Sequence, residues 1–137
     1  MTPGHASSDT PIAGITTKLS PWTVEETVSR LAAIARAREL EVFALIDHSG
    51  EAAGVGLRLR DTKVVIFGSP LVGTPVMDAV PLAALDLPLK VLVWADGLQT
   101  KLSYTSPGAL AQRYGLNPEL STQLSGIDTI TDVVIDR

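Results

Sequence analysis

The chain has 137 residues, 45% hydrophobic and 19% charged, which fits one folded domain with an aliphatic core. It contains no cysteine, which excludes disulfides, thiolate catalysis, iron–sulfur clusters and Cys-containing zinc sites and fits a reducing cytoplasm. A net charge of −4 argues against nucleic-acid binding, which draws its free energy from many Lys and Arg contacts to phosphate.

Residues 1–11 (MTPGHASSDTP) lack the apolar run of a signal peptide and read as a flexible polar tail, which leaves residues 12–137 as a single α+β domain. Ile12 to Leu19 alternates loosely and predicts a first strand, closed by Ser20-Pro21. Thr23 followed by Glu26 is a capping box, and Val24, Val28, Leu31 and Ala35 then recur at helical spacing. Glu41 to Ile46 has strand composition, with Val42, Ala44 and Ile46 on one side and Phe43 and Leu45 on the other, both sides expected to be covered. After Asp47 comes a short helical segment, Ser49 to Val55. Arg58, Arg60 and Lys63 cluster, but Asp61 sits among them, so they read as a solvated strand edge or turn.

Lys63 to Phe67 predicts a third strand, ended by Gly68-Ser69-Pro70. Thr74-Pro75, Ser106-Pro107 and Asn117-Pro118 each place a capping side chain before a proline at the first helical position and so mark three helix starts. The apolar window Ala79 to Ala95 is interrupted by Pro81, Asp86, Pro88 and Lys90 and is too short to span a bilayer, so no membrane partner is expected. Val91 to Trp94 and Lys101 to Tyr104 read as a hairpin around Ala95-Asp96-Gly97-Leu98. From Pro118 onward, Leu120, Leu124, Ile127, Ile130 and Val134 predict one C-terminal helix. The order is that of an α+β fold, a mainly antiparallel sheet with helices on one face.

The blocks TVEETVSRL at 23–31, VFALIDHSGEAAGVG at 42–56, VIFGSPLVGTPVMDAVP at 65–81, LPLKVLVW at 87–94 and LSYTSPGALAQRYGL at 102–116 together resemble the domain of unknown function 302 family. The resemblance implies a TATA-binding-protein-like β-α-β4-α fold, a homodimer, and no established activity. That family usually has Gly where Glu39 stands and Asn where Ser69 stands. A non-glycine at a left-handed helix end costs about 1 kcal/mol, so the first helix is expected to end differently here. The fold's name carries no DNA inference, since function belongs to sites.

Three polar clusters are candidate sites. Asp47-His48 follows a strand and opens a helix, so Asp47 reads either as a cap or as the group orienting His48, a general base kept neutral by the helix dipole. Lys90 sits among apolar neighbours and calls for an acidic partner, Asp86, Asp78 or Asp47, unless it snorkels to solvent. Gly68, Ser69, Gly73 and Thr74 precede a helix start whose backbone amides offer an anion cradle, with Met77 and Tyr104 as apolar lining. The leading expectation is a homodimeric domain that binds a small anionic or apolar ligand, with no cofactor and no metal. The alternatives are a small acid–base enzyme, an isomerase or hydrolase using His48, Asp47 and Lys90, and a protein-interaction module.

Overall fold

The structure, a computed structural model, describes residues 11–137. The tail expected over residues 1–11, with His5, therefore lies outside the described residues except for Pro11. Five strands, β1 (Ile15–Ser20), β2 (Glu41–Asp47), β3 (Thr62–Gly68), β4 (Leu89–Asp96) and β5 (Gln99–Thr105), form one sheet in the order β1-β5-β4-β3-β2. Every neighbouring pair is antiparallel. The helices are α1 (Val24–Ala37), α2 (His48–Gly54), α3 (Pro70–Ala79), α4 (Pro107–Tyr114), α5 (Pro118–Leu124) and α6 (Gly126–Ile135), with a 3₁₀ turn at Pro81–Asp86 between α3 and β4. This is the expected α+β arrangement.

Alternation along the strands decides what the sheet buries. Val65, Phe67, Val91, Val93, Leu102 and Tyr104 point to one face, where α1 supplies Val28, Leu31 and Ala35 and α6 supplies Ile127, Ile130 and Val134. Leu31 is fully buried, and removing such a side chain from water stabilises the fold by roughly 1.5–3 kcal/mol. Thr23 starts α1 by accepting from the Glu26 amide at 3.1 Å, while its hydroxyl donates to the Glu26 carboxylate at 3.0 Å. The C-terminal end of α6 is held by Arg30 Nε and Trp22 Nε1, both donating to the Val134 carbonyl, which satisfies a group the helix itself leaves open.

Four local expectations are corrected. The first concerns α1, which keeps a left-handed end: Glu39 has φ +62, the Leu40 amide bonds the Ala35 carbonyl at 2.9 Å, and the Glu39 amide bonds that of Arg36 at 3.0 Å. Glu39 thus accepts the backbone strain in order to make a Schellman end, in which two otherwise open carbonyls are satisfied. Second, β2 is an edge strand, with Phe43 and Leu45 about half exposed, and a register shift between Val42 and Ala44 puts those two on opposite faces. Third, the helix expected to start at Thr74-Pro75 begins five residues earlier, at Ser69-Pro70, and carries Pro75 inside it. Fourth, the C-terminal stripe is divided at Ser125 into α5 and α6, so Leu124 joins a second cluster with Val76, Ala83 and Leu110, while Ile127 stays with the main core.

Candidate functional site

The break between α5 and α6, the end of β3 and the start of α3 surround a cavity of about 430 Å³. Gly68, Ser69, Gly73, Thr74 and Met77 all lie on its wall, so the structure brings together five of the six residues singled out as ligand-binding. The sixth, Tyr104, lies elsewhere. It is buried on β5 beneath α6, where its hydroxyl donates to the Asp128 carboxylate, and burial first and that bond second raise its pKa. Its neighbour Lys18 donates to Thr131 Oγ1 at 2.7 Å and Asp132 Oδ1 at 2.8 Å. Burial alone would lower the Lys18 pKa, but its bonds to Asp132 and Tyr104 outweigh that and raise it. Tyr104 therefore belongs to a polar seam fastening α6 to β1 and β5.

The anion cradle expected at the start of α3 is not open. Pro70 has no N–H, the Leu71 amide donates to Ser69 Oγ at 3.2 Å, and the Val72 and Gly73 amides both donate to the Ser69 carbonyl, at 3.0 and 2.9 Å. Each first-turn donor already has an acceptor inside the chain. What remains facing the cavity is mainly apolar, Leu40, Phe43, Val72, Met77, Leu89 and Ile130 among others, with Thr74, Gln123 and Thr129 as polar members. Arg38 is the one charged residue on the wall, and among the described residues it makes no ion pair. Sequence reasoning missed Arg38, Leu40, Phe43, Leu124 and Ile130, because they reach the site from four places in the chain, the connection after α1, β2, α5 and α6. The β-bulge at Phe43, which re-aims that side chain, leaves no signature in the apolar alternation of β2.

Asp47, His48 and Lys90 are divided by the fold. Asp47 caps α2, its Oδ1 accepting from the Gly50 amide at 2.9 Å and from Ser49 Oγ at 2.8 Å. The Gly50 bond, then that of Ser49, lowers the Asp47 pKa. A Cβ on Gly50 would come within 2.5 Å of Asp47 Oδ2, so a side chain there would push the capping carboxylate from its present position. His48 is exposed on the first turn of α2. Lys90 pairs with Ile66, whereas Asp47 pairs with Lys63 and, through it, aligns with Val93. Lys90 and Asp47 are therefore offset by three residues, about 10 Å along the strands, and lie on opposite faces of the sheet. The Asp47 carboxylate is engaged in the α2 cap and Lys90 stands on the other face, so the expected trio of His48, Asp47 and Lys90 is corrected to a helix cap and a separate lysine. Of the acids considered for Lys90, Asp86 is the one whose pKa its charge helps to lower, behind the larger effects of Tyr114 and Arg113.

Among the described residues, no group of three or more acidic or histidine side chains is placed to hold a metal ion, and no helix is long and apolar enough to cross a membrane. The family model for the domain of unknown function DUF302 matches residues 15–134. The chain belongs to the DUF302 family. A crystal structure of an uncharacterized conserved DUF302 protein from Bacillus stearothermophilus superposes with a TM-score of 0.76 over 91% of this chain and 98% of that one, at 18% identity, which supports the fold alone. Two relatives are named fluoride-specific ion channel FluC 1, from Brucella suis biovar 1 (strain 1330) and Brucella abortus biovar 1 (strain 9-941). Each is 36% identical over 124 residues, which is 87% of this chain and 49% or 46% of the relative. This DUF302 chain thus spans about half the length of the curated relatives it matches.

Proposed function

We propose that this chain is a noncatalytic, homodimeric ligand-binding domain whose ligand is a small, mainly apolar molecule seated between α3, α6 and the start of β2. The observation that carries the reading is the 430 Å³ cavity walled by apolar side chains from several elements, with the α3 amides already occupied. Its volume lies in the range of about 300–1,000 Å³ usual for small-molecule sites. Arg38 at the wall favours ligands with one carboxylate on an apolar body.

Gly73 supplies the test. A Cβ there meets only Met77 Cε, at 3.6 Å, so Gly73→Leu grows into the cavity while also favouring the helix. Thermal unfolding is followed with medium-chain fatty acids and aromatic carboxylates as probes. A ligand present at about a hundred times its dissociation constant stabilises by about 2.7 kcal/mol. The expected result is stabilisation of the native chain and none of Gly73→Leu. Equal stabilisation of both, or of neither by any probe, removes the site.

The Brucella relatives favour a second reading, of a domain that works beside a membrane channel. We infer that the half of those proteins matched here is an accessory part, because this chain has, among its described residues, no helix able to cross a bilayer. Fluoride efflux from vesicles holding the Brucella suis protein, with and without that half, tests this. Efflux that persists without it supports an accessory role, and efflux that is abolished assigns the half to the pore.

A further inference from the structure

The residues that alternate with the buried ones on the strands, Val64, Ile66, Leu92 and Trp94, face away from α1 and α6, and among the described residues no helix covers them. Val64, Leu92 and Trp94, with Ile15 and Thr17 of β1 and Ser103 of β5, floor an open cavity of about 890 Å³, whose lining also takes in Leu110 of α4 and Ile127 of α6. The polar groups on this floor are paired with one another, as on a surface meant to be dry: Trp94 Nε1 donates to Ser103 Oγ at 3.0 Å, and Ser103 shares a 2.8 Å hydrogen bond with Thr17 Oγ1. Lys90, on the cavity wall, makes no hydrogen bond or ion pair among the described residues.

A second anomaly lies in the same chain. The helix α2 has no buried residue, and the segment after it exposes Val55 by 73%, Leu57 by 65% and Leu59 by 47%. Gly56, Arg58 and Arg60 alternate with these three, the period-two pattern of a half-buried strand, yet the segment pairs with no strand among the described residues. Its near end is tied to α2 by the Leu57 amide, which donates to the Ala52 carbonyl at 2.9 Å, and its far end to the sheet by the Asp61 carbonyl accepting from the Ala95 amide and by Arg60 lying 3.9 Å from Asp96. None of its residues lines the cavity of its own copy. Glu51 on α2 is exposed and, among the described residues, carries no ion pair.

We propose that α2 and residues 55–60 form an arm that a second copy of this chain receives on its open sheet face, Leu57 and Leu59 closing the 890 Å³ cavity and Glu51 answering the charge of Lys90. An apolar arm without a groove and an apolar groove without a cover are self-complementary, and a two-fold axis satisfies both at once. Two such contacts double the area sealed, toward the roughly 1,200–2,000 Å² typical of a stable pair. The proposal rests on the homodimer reading and names its interface.

The absence of cysteine makes the test direct, since any disulfide reports only on residues that are introduced. Light scattering is expected to give the full chain twice its 14.4 kDa mass. Leu57→Glu with Leu59→Glu, both at exposed positions, is expected to raise the dissociation constant more than tenfold without altering the circular dichroism. Leu57→Cys with Leu92→Cys should form a disulfide-linked dimer under mild oxidation, while Leu57→Cys with Val133→Cys, on the helix side, should not. Lys90→Glu should weaken the pair and Glu51→Lys should restore it in the double variant. A dimer that withstands the arm substitutions and gives no Leu57–Leu92 cross-link overturns the interface but leaves the dimer. A strict monomer overturns both.

Discussion

Both faces of the sheet carry large apolar side chains, and they differ in cover. On one, Val65, Val91 and Leu102 are fully buried under α1 and α6. On the other, their neighbours Val64 and Leu92 are half-buried, and Ile15 and Leu19 are 42% and 57% exposed. Antiparallel sheets usually wet one face with polar side chains, so apolar residues left open on the second face are the ones the proposed arm of a second copy would cover. The lesson is that a chain completes only the core its own helices can reach, and alternation alone does not say which face that is.

The strongest way to break this comparison is to cut a side chain on each face. Leu31→Ala is expected to lower stability by about 2–5 kcal/mol at every protein concentration, because the vacancy lies inside the main core. Leu92→Ala should cost about 1 kcal/mol or less once the chain is diluted to monomer, and more when it is concentrated. Urea unfolding at several concentrations separates the two. Equal losses at all concentrations would mean that both faces are covered within a single chain.

How far the sequence foretold the molecule follows the same divide between local and distant. The capping pairs Thr23–Glu26, Ser106–Ala109 and Asn117–Leu120 form as their spacing implies, because a cap is decided within four residues. The cavity was half legible for a similar reason. Gly68, Ser69, Gly73 and Thr74 announce an irregular element end, whereas Leu40 and Ile130 reach it through tertiary packing. Two Ser/Thr-Pro pairs stand five residues apart in this stretch, and the pattern cannot rank them. The helix takes the first, since Ser69 caps it and Val76 buries behind it, and it tolerates Pro75 within its length. The division at Ser125 was hidden by an unbroken apolar stripe that in fact serves two clusters.

Glu39 allows a smaller and cleaner sharpening, at the point where α1 leaves the covered face and the chain passes along the 430 Å³ cavity through Arg38 and Leu40. Its φ of +62 is a conformation that a side chain makes costly and glycine adopts freely. Glu39→Gly is expected to stabilise by about 1 kcal/mol, read as a higher urea midpoint with an unchanged slope. A loss instead would show that the Glu39 side chain makes a contact worth more than the strain it imposes.

The smallest effect falls where the open face meets the second cluster. Asp86 lines the open-face cavity and accepts from Tyr114 and, at 2.8 Å, from Arg113. The Tyr114 bond first, with Arg113 and then Lys90 adding their charges against some desolvation, holds this carboxyl below its ordinary 3.8. Its folded pKa lies below its unfolded one, so the stability it contributes is fully present above the ordinary value and is lost as pH falls through the depressed one. Partial exposure to solvent keeps the contribution small. Asp86→Asn should therefore leave neutral-pH stability little changed and flatten the acid limb of the stability–pH curve. An acid limb as steep as that of the native chain would mean that the Tyr114–Asp86–Arg113 group is not formed in solution, and that this corner of the open face is looser than the covered one.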